Sequence, residues 1–256
     1  MGITISIANQ KGGAGKTTTA VCVAGAFAQK KKKVLLVDAD HQSASASFIL
    51  APKNNGHCAV SSILMGEPFE AVKTETFDIL SSNHILAQTA ESLSNIKTPQ
   101  ARNKKLKAAL KENGVYDKYD YIIIDCPPSH NVITYNALWA SDFCIIPMRP
   151  DDMHVAALED MLAIIEVAQE QGASVLPLGV LMICFDKRLK LHSHISDKIE
   201  KSNPDLLFNT TIRNNVYLSE LASFHKDIFA HNKNSNGASD YADLANEITR
   251  KIKRTK

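Results

Sequence analysis

The sequence predicts a single α/β domain, doubly wound, with a mainly parallel twisted sheet and helices on both faces. Three observations predict it. Continuous apolar runs, at residues 3–8, 34–37 and 121–124, recur along the chain, and such runs suit parallel strands buried on both faces. Segments of helical composition separate them, which is the alternation of a doubly wound sheet. The runs also end in a glycine-rich turn or in an aspartate, and ligand sites collect at strand C-termini in sheets of this kind.

Taken in order, residues 3–8 form the first strand and residues 17–29, rich in Ala and Val, the first helix. Between them lies Asn9-Gln10-Lys11-Gly12-Gly13-Ala14-Gly15-Lys16-Thr17-Thr18-Thr19. A strand, a glycine-rich turn and a helix opening at Gly-Lys-Thr make a phosphate cradle. Glycine lets backbone N–H groups approach phosphate oxygens, and the helix N-terminus adds unpaired donors and a positive dipole end. Lys16 is placed to reach the β- and γ-phosphates, and the Thr17 hydroxyl to ligate Mg²⁺. The four lysines at 30–33 follow the helix C-terminus, where cations suit the dipole, and read as a solvated turn, with a DNA-facing role the alternative. Residues 34–38 form the second strand, with Asp38-Ala39-Asp40-His41-Gln42 at its C-terminal end.

Residues 43–47 suit the first turn of a helix, 53–56 a turn, 60–64 a short helix and 77–80 a strand closed by a Ser-Ser-Asn turn. Residues 84–113 are mostly helical in composition. Lys104, Lys105, Lys107 and Lys111 against Leu106, Ala109 and Leu110 give one amphipathic helix a basic face. Residues 120–125 are the third strong strand, closing on Asp125-Cys126-Pro127-Pro128-Ser129; an apolar strand ending in Asp is the arrangement that holds Mg²⁺. A helix at 131–139 and a strand at 142–147 follow. Residues 152–171 form a long helix stopped by Gly172, with Leu158, Met161, Leu162, Ile165 and Ala168 facing the core. A strand at 178–185 ends at Asp186, and Asp186-Lys187-Arg188-Leu189-Lys190-Leu191 leads into a helix to about residue 201. Residues 207–212 are the last predicted strand. The final helix opens at residues 235–241 and ends in the basic tail 250–256.

Whole-chain properties narrow the function. At 256 residues the chain can bury one sizeable core, and 45% apolar residues suit a globular protein. A net charge of +2 leaves any nucleic-acid binding to a local patch. The cysteines Cys22, Cys58, Cys126, Cys144 and Cys184 have no metal-ligand spacing and read as buried free thiols in a reducing cytosol. The sequence shows no signal peptide and no apolar run of membrane-spanning length.

The cradle departs from the common phosphate loop, with Gln10 where a glycine is usual and a second lysine, Lys11, opening the turn. Lys11-Gly12-Gly13-Ala14-Gly15-Lys16-Thr17-Thr18 resembles the deviant Walker A box of the ParA/MinD class of P-loop ATPases. Asp125-Cys126-Pro127-Pro128 resembles the Asp-x-Pro-Pro segment of that class, and Asp38-Ala39-Asp40-His41-Gln42 its Asp-x-Asp-Pro-Gln segment, with His41 in place of proline. The resemblance spans essentially the whole chain and is closest to the Soj/ParA branch. It implies that Lys11, Lys16 and Asp40 are catalytic, Lys11 reaching across a dimer to the partner's nucleotide and Asp40 positioning the attacking water. It implies that Lys11 to Thr18 bind ATP, and that Thr17, Asp38 and Asp125 serve Mg²⁺. The Asp186–Leu191 segment resembles the family's Asp-x-Arg-x-x-Leu. This implies nonspecific DNA binding through Arg188, with Lys187 and Lys190. Arg213 stands one position from the arginine of a further DNA-binding segment, where a strict alignment places Asn214.

The family's activity is slow hydrolysis of ATP to ADP and phosphate by an ATP-sandwich homodimer, stimulated by ParB or an equivalent. The expectation is a cytoplasmic, nucleoid-associated switch that segregates or positions plasmid or chromosome DNA. It lacks an N-terminal operator-binding domain and has no membrane partner. Open alternatives are a positioning ATPase for a chemotaxis array or microcompartment, a MinD-like membrane-cycling regulator, and a metabolic enzyme on the same scaffold, such as a dethiobiotin synthetase-like ligase or an iron–sulfur reductase.

Overall fold

The computed structural model describes residues 2–42, 45–51 and 57–255. The predicted turn at 53–56 lies outside the described residues, as do positions 43 and 44 of the predicted helix start. The elements run β1 (Ile3–Ile7), α1 (Lys16–Gln29), β2 (Val34–Asp38), α2 (Ala46–Leu50), α3 (Ala59–Met65), β3 (Val72–Lys73), β4 (Asp78–Leu80) and α4 (Ile85–Ser94). They continue with α5 (Pro99–Asn103), α6 (Lys105–Glu112), α7 (Val115–Lys118), β5 (Tyr121–Asp125), α8 (Val132–Ala140), β6 (Phe143–Met148) and α9 (Asp152–Glu170). The last are β7 (Leu176–Phe185), α10 (Lys190–Ser202), β8 (Ile212–Arg213), α11 (Val216–Phe224), α12 (Ile228–Asn232) and α13 (Asn236–Thr255).

The eight strands form one sheet in the order β3-β4-β2-β5-β1-β6-β7-β8. All neighbours are parallel except β3 against β4. The strand side chains alternate between two cores, because successive residues point to opposite faces. Leu35, Val37, Ile122 and Ile124 join the core under α3, α6, α8 and α9. Val34, Leu36, Tyr121 and Ile123 join the core under α1 and α13. The doubly wound prediction is therefore met. The α9 stripe is core as expected, with Leu158, Met161, Ile165 and Ala168 buried.

Register delivers the site. Asp38 on β2 and Ile7 on β1 are both paired with Asp125 on β5. The phosphate loop, which leaves β1 after Ile7, thus emerges beside two strands that each end in a carboxylate.

Two expectations need correction. Residues 207–212 do not form a strand: Leu207 makes one bridge to Val180, and β8 is two residues long. The backbone N–H groups of Asn209 and Thr210 donate instead to the buried Glu247 carboxylate on α13, both at 2.8 Å, so they cannot join the ladder. Cys184 is only half-buried, because a left-handed residue there (φ 52°) interrupts β7 and shifts its register with β8; the other four cysteines are buried. The basic-faced helix expected around 104–111 is present as α6, with Leu106 and Leu110 buried and the Lys104 ammonium at its start held over the Trp139 ring at 4.9 Å. Short helices α7, α11 and α12, and the edge strand β3, carry no sequence pattern strong enough to announce them.

The end of α1 holds an unusual residue. Lys31 N–H donates to the Ala28 carbonyl (2.8 Å) and Lys32 N–H to that of Phe27 (3.2 Å), the crossed pair that ends a helix with a left-handed residue. That residue is Lys31, at φ 59°, where glycine is usual because a Cβ strains this conformation. Lys31→Gly should therefore stabilise the protein by about 0.5–1 kcal/mol in urea unfolding. A loss of stability would show that the lysine side chain contributes to the fold.

Candidate functional site

The loop is anchored before it turns. Asn9, buried, donates from Nδ2 to the Pro147 carbonyl at the end of β6 (2.8 Å) and accepts from Lys11 N–H (2.8 Å). Gly13 and Gly15 have φ of 73° and 75°, the left-handed region that glycine adopts without strain. A Cβ at Gly15 would also lie 2.4 Å from Ile183 Cδ1, whereas at Gly12 and Gly13 it would meet nothing within 4 Å. Open space beside the first two glycines, and a tight wall behind the third, fit a phosphate cradle. The first turn of α1 has no side-chain cap and no acidic residue, so its amides remain for an anion.

Lys16 is buried, and its ammonium donates to the Lys11 carbonyl at 3.3 Å across the loop. Burial lowers its pKa, against the opposing pull of Asp125 and Asp40. Lys11 follows a different course. Its backbone is held at both ends of the loop, while its side chain makes no ion pair or hydrogen bond among the described residues. Thr17 and Thr18 are half-buried in the first turn.

Three aspartates converge. Asp125 is fully buried, and neither carboxylate oxygen completes a hydrogen bond within the described chain. Burial pushes its pKa well above the usual carboxylate range; Asp38 adds to the shift, and the Thr17 hydroxyl and Lys16 oppose it. Asp38, also fully buried, is raised to about 6 by desolvation. It accepts from Ser47 N–H (2.7 Å) and Asp40 N–H (3.1 Å), and so fixes the loop after β2. Asp40 accepts from Gln42 N–H (3.0 Å) and is buried at the edge of the same site. His41 is half-buried beside it.

The donor set suits Mg²⁺. It offers hard oxygens only, from the Thr17 hydroxyl and an unpartnered Asp125 carboxylate. Mg²⁺ is commonly held by one or two carboxylates together with substrate phosphates. No cluster of three His, Cys, Asp or Glu ligands forms among the described residues, as expected where phosphates complete the shell. Asp38 has less lone-pair capacity to spare, and its place in that shell is behind Asp125.

Of the predicted DNA-contacting residues, Lys187, Arg188 and Arg213 line a cavity of about 1010 Å³ between the end of β7, β8 and α13, and Arg213 also lines a smaller one of about 220 Å³ that it shares with Gly13, Gly15 and Thr18 of the phosphate loop. Lys187 and Lys190 are exposed and make no ion pair among the described residues. Arg188 is 89% exposed but bound by Asp186 (2.7 Å), which it holds down at about 2. Arg213 donates through Nη2 to Asp240 Oδ1 (2.6 Å) and through Nε to both oxygens (3.1 Å). Asn214 is exposed beside it.

Sequence reasoning gave no role to Asn9, Ser47 or Asp240. Each acts by holding another site residue, and no spacing rule marks such a partner in advance. Asn9 alone carried a signal, as a polar residue at the end of an apolar strand.

A family model described as an AAA domain matches residues 2–177. The chain is 35% identical over 254 residues to the sporulation initiation inhibitor protein Soj of Bacillus subtilis, covering 97% of this chain and 98% of Soj. It is 31% identical over 250 residues to the chromosome partitioning protein ParA of Caulobacter vibrioides, covering 95% and 92%. The chain belongs to the Soj/ParA family of partitioning ATPases. Among solved structures, cobyrinic acid a,c-diamide synthase from Mycobacterium smegmatis, with a bound ATP analog and magnesium, superposes with a TM-score of 0.83 at 25% identity. The match covers 100% of this chain and 98% of that one. The Soj/ParA assignment accounts for the coexistence of a phosphate loop, a Mg²⁺-type donor set and a lysine whose side chain has no partner among the described residues.

The raised carboxylates give a pH-dependent test. A carboxyl whose folded pKa is raised favours the protonated form, so its destabilising charge is present at high pH and is lost as pH falls through the raised pKa. Asp125→Asn removes that charge from beside Asp38. The nucleotide-free variant should melt about 2–4 °C above the parent at pH 8, corresponding to about 1 kcal/mol. The gap should close towards pH 5, and Mg²⁺-dependent nucleotide binding should be lost. Identical melting at pH 8 would contradict the buried-charge reading.

Proposed function

We propose that the protein is an ATP-driven dimerising switch that binds DNA without regard to sequence. Stimulated by a ParB-like partner, it segregates or positions plasmid or chromosome DNA on the nucleoid. The observation that carries this reading is Lys11: a loop lysine whose backbone is fixed on both sides and whose charge has no partner among the described residues. Such a lysine is placed to neutralise phosphate presented by a second subunit. Apolar exposure on the same edge of the sheet supports a subunit contact there. The N-terminal ends of α9 and α10, which follow β6 and β7, expose Met153 (66%), Leu189 and Leu191, although most large apolar side chains are buried.

Within each subunit, Lys16 and the free amides of Gly12 to Thr18 bind the triphosphate. Thr17 and Asp125, backed by Asp38, hold Mg²⁺, which neutralises charge on the phosphates during transfer. Asp40 orients the attacking water, and phosphoryl transfer depends chiefly on such positioning. A site that needs a second subunit to complete it turns over slowly until a partner stabilises the closed state. No described helix is long and apolar enough to cross a membrane.

Three outcomes are expected. Light scattering should show a dimer with ATP or a non-hydrolysable analogue and a monomer with ADP, and low-salt binding to random duplex DNA should follow the dimer. Dimerisation with no DNA binding would transfer the reading to a protein-cargo or membrane switch. Lys11→Ala should bind ATP as the parent does but remain monomeric; an ATP-dependent dimer in that variant would remove the cross-subunit role. Asp40→Ala should bind ATP and dimerise while hydrolysing roughly a hundredfold more slowly, and parental turnover would exclude it as the water-positioning group.

A further inference from the structure

The two arginines of the DNA-binding segments are each committed to a carboxylate, Arg188 to Asp186 and Arg213 to Asp240. The opposite end of the molecule is different. Lys31, Lys32, Lys33, Arg250, Lys253 and Arg254 are all exposed, and none makes an ion pair among the described residues. The first three follow α1 and the rest end α13. The two helices pack side by side, and Lys30 bonds to Asn246 across them.

These cations join the cavity at Arg188 and Arg213. Asn246 and Arg250 line that cavity and also a second one, of about 480 Å³, walled by Lys30 and Lys32. Lys32 and Tyr121 in turn line a third, of about 400 Å³, which reaches Lys33 and Lys118. Asp243, Asn246, Arg250 and Lys253 form one exposed stripe at helical spacing along α13. The acids along the way are Asp186, Asp240, Asp243 and Glu247 at the first cavity and Asp117 and Asp120 at the third; Asp186 and Asp240 are taken by Arg188 and Arg213, Glu247 by the Asn209 and Thr210 amides, and Asp120 by the Lys33 backbone N–H (2.8 Å).

We infer that the outer face of α13 and the lysine turn after α1 form a phosphate-binding track for duplex DNA, running from the Arg188 cavity to Lys33. The inference rests on the DNA-binding reading proposed above and assigns the contacts to residues that reading does not use. From Asp240 to Arg254 the helix rises about 21 Å. Duplex DNA carries one charge per about 1.7 Å of axis, so the track faces roughly a dozen phosphates. Free lysines and arginines gain more from phosphate than paired ones, because no existing ion pair has to be broken. A bilayer is the other polyanionic surface, but it needs an apolar face to enter. That face of α13, with Ile248 and Ile252, is packed in the core. Lys31 adds a separate observation: a cation occupies the left-handed position that glycine would fill with less strain.

The test is a salt series of random-duplex titrations with ATP, comparing the parent with Lys31→Gln/Lys32→Gln/Lys33→Gln and with Arg250→Gln. The triple variant should bind DNA at least about tenfold more weakly at low salt, with a log–log salt slope shallower by roughly two, at unchanged ATP affinity. Lys31→Gly should weaken DNA binding while raising the melting temperature, a combination that a purely structural lysine would not give. A parent that binds DNA and a triple variant with the same slope would overturn the track and leave the broader reading standing. A parent that binds no DNA in any nucleotide state would remove both. Lysine-dependent binding to phosphatidylserine vesicles in place of DNA would assign the surface to a membrane and overturn the track as well.

Discussion

The structure depends on a repulsion. Parallel register sets Asp38 and Asp125 side by side at the dry ends of β2 and β5, where each raises the cost of ionising the other. A protein selected for stability alone would not place two carboxylates there, since an unpaired buried charge is among the most destabilising features a core can carry. The compensation is local. Asp38 is satisfied by two backbone amides, and Lys16 lies buried nearby as a partial counter-charge. Neither oxygen of Asp125 completes a hydrogen bond among the described residues. The geometry of the loop after β2, the placement of Lys16 and the donor set for a cation all follow from accommodating this pair.

The C-terminal half solves a different problem. Beyond β7 the chain has little sheet to hold it, and α13 does the holding. Glu247 accepts the amides of Asn209 and Thr210, Asp240 clamps Arg213, and Lys251 donates to the carbonyls of Leu178 and Asp205. Gly179 allows this packing, because a Cβ there would lie 2.6 Å from Phe208 and 2.8 Å from the Leu206 carbonyl. Asp240 and Glu247 of α13 thus serve the fold, while its outer stripe carries Arg250 and Lys253 beside a single acid, Asp243.

The fold was legible where the chain must satisfy a sheet buried on both faces. Such strands tolerate only apolar residues, so β1, β2, β5 and β6 announce themselves, and so does the chemistry at their ends. Legibility failed where a side chain replaces a strand partner. Nothing in residues 207–212 says that Glu247, far along the sequence, will take their amides. The nucleotide site was readable because Gly12 to Thr18 and Asp125 sit at positions fixed by spacing. The supporting groups Asn9 and Ser47 were not, since their role comes from register between distant strands. Arg213 was legible as a cation but not as one already held by Asp240.

Both margins of the sheet are two-residue strands, β3 and β8. β3 runs against the direction of the rest, and beside β8 a helix carboxylate takes the amides that would have lengthened it. Another chain therefore finds almost no backbone ladder to extend. Short margins prevent sheet-to-sheet polymerisation and leave only contacts that side chains and ligands can make and undo.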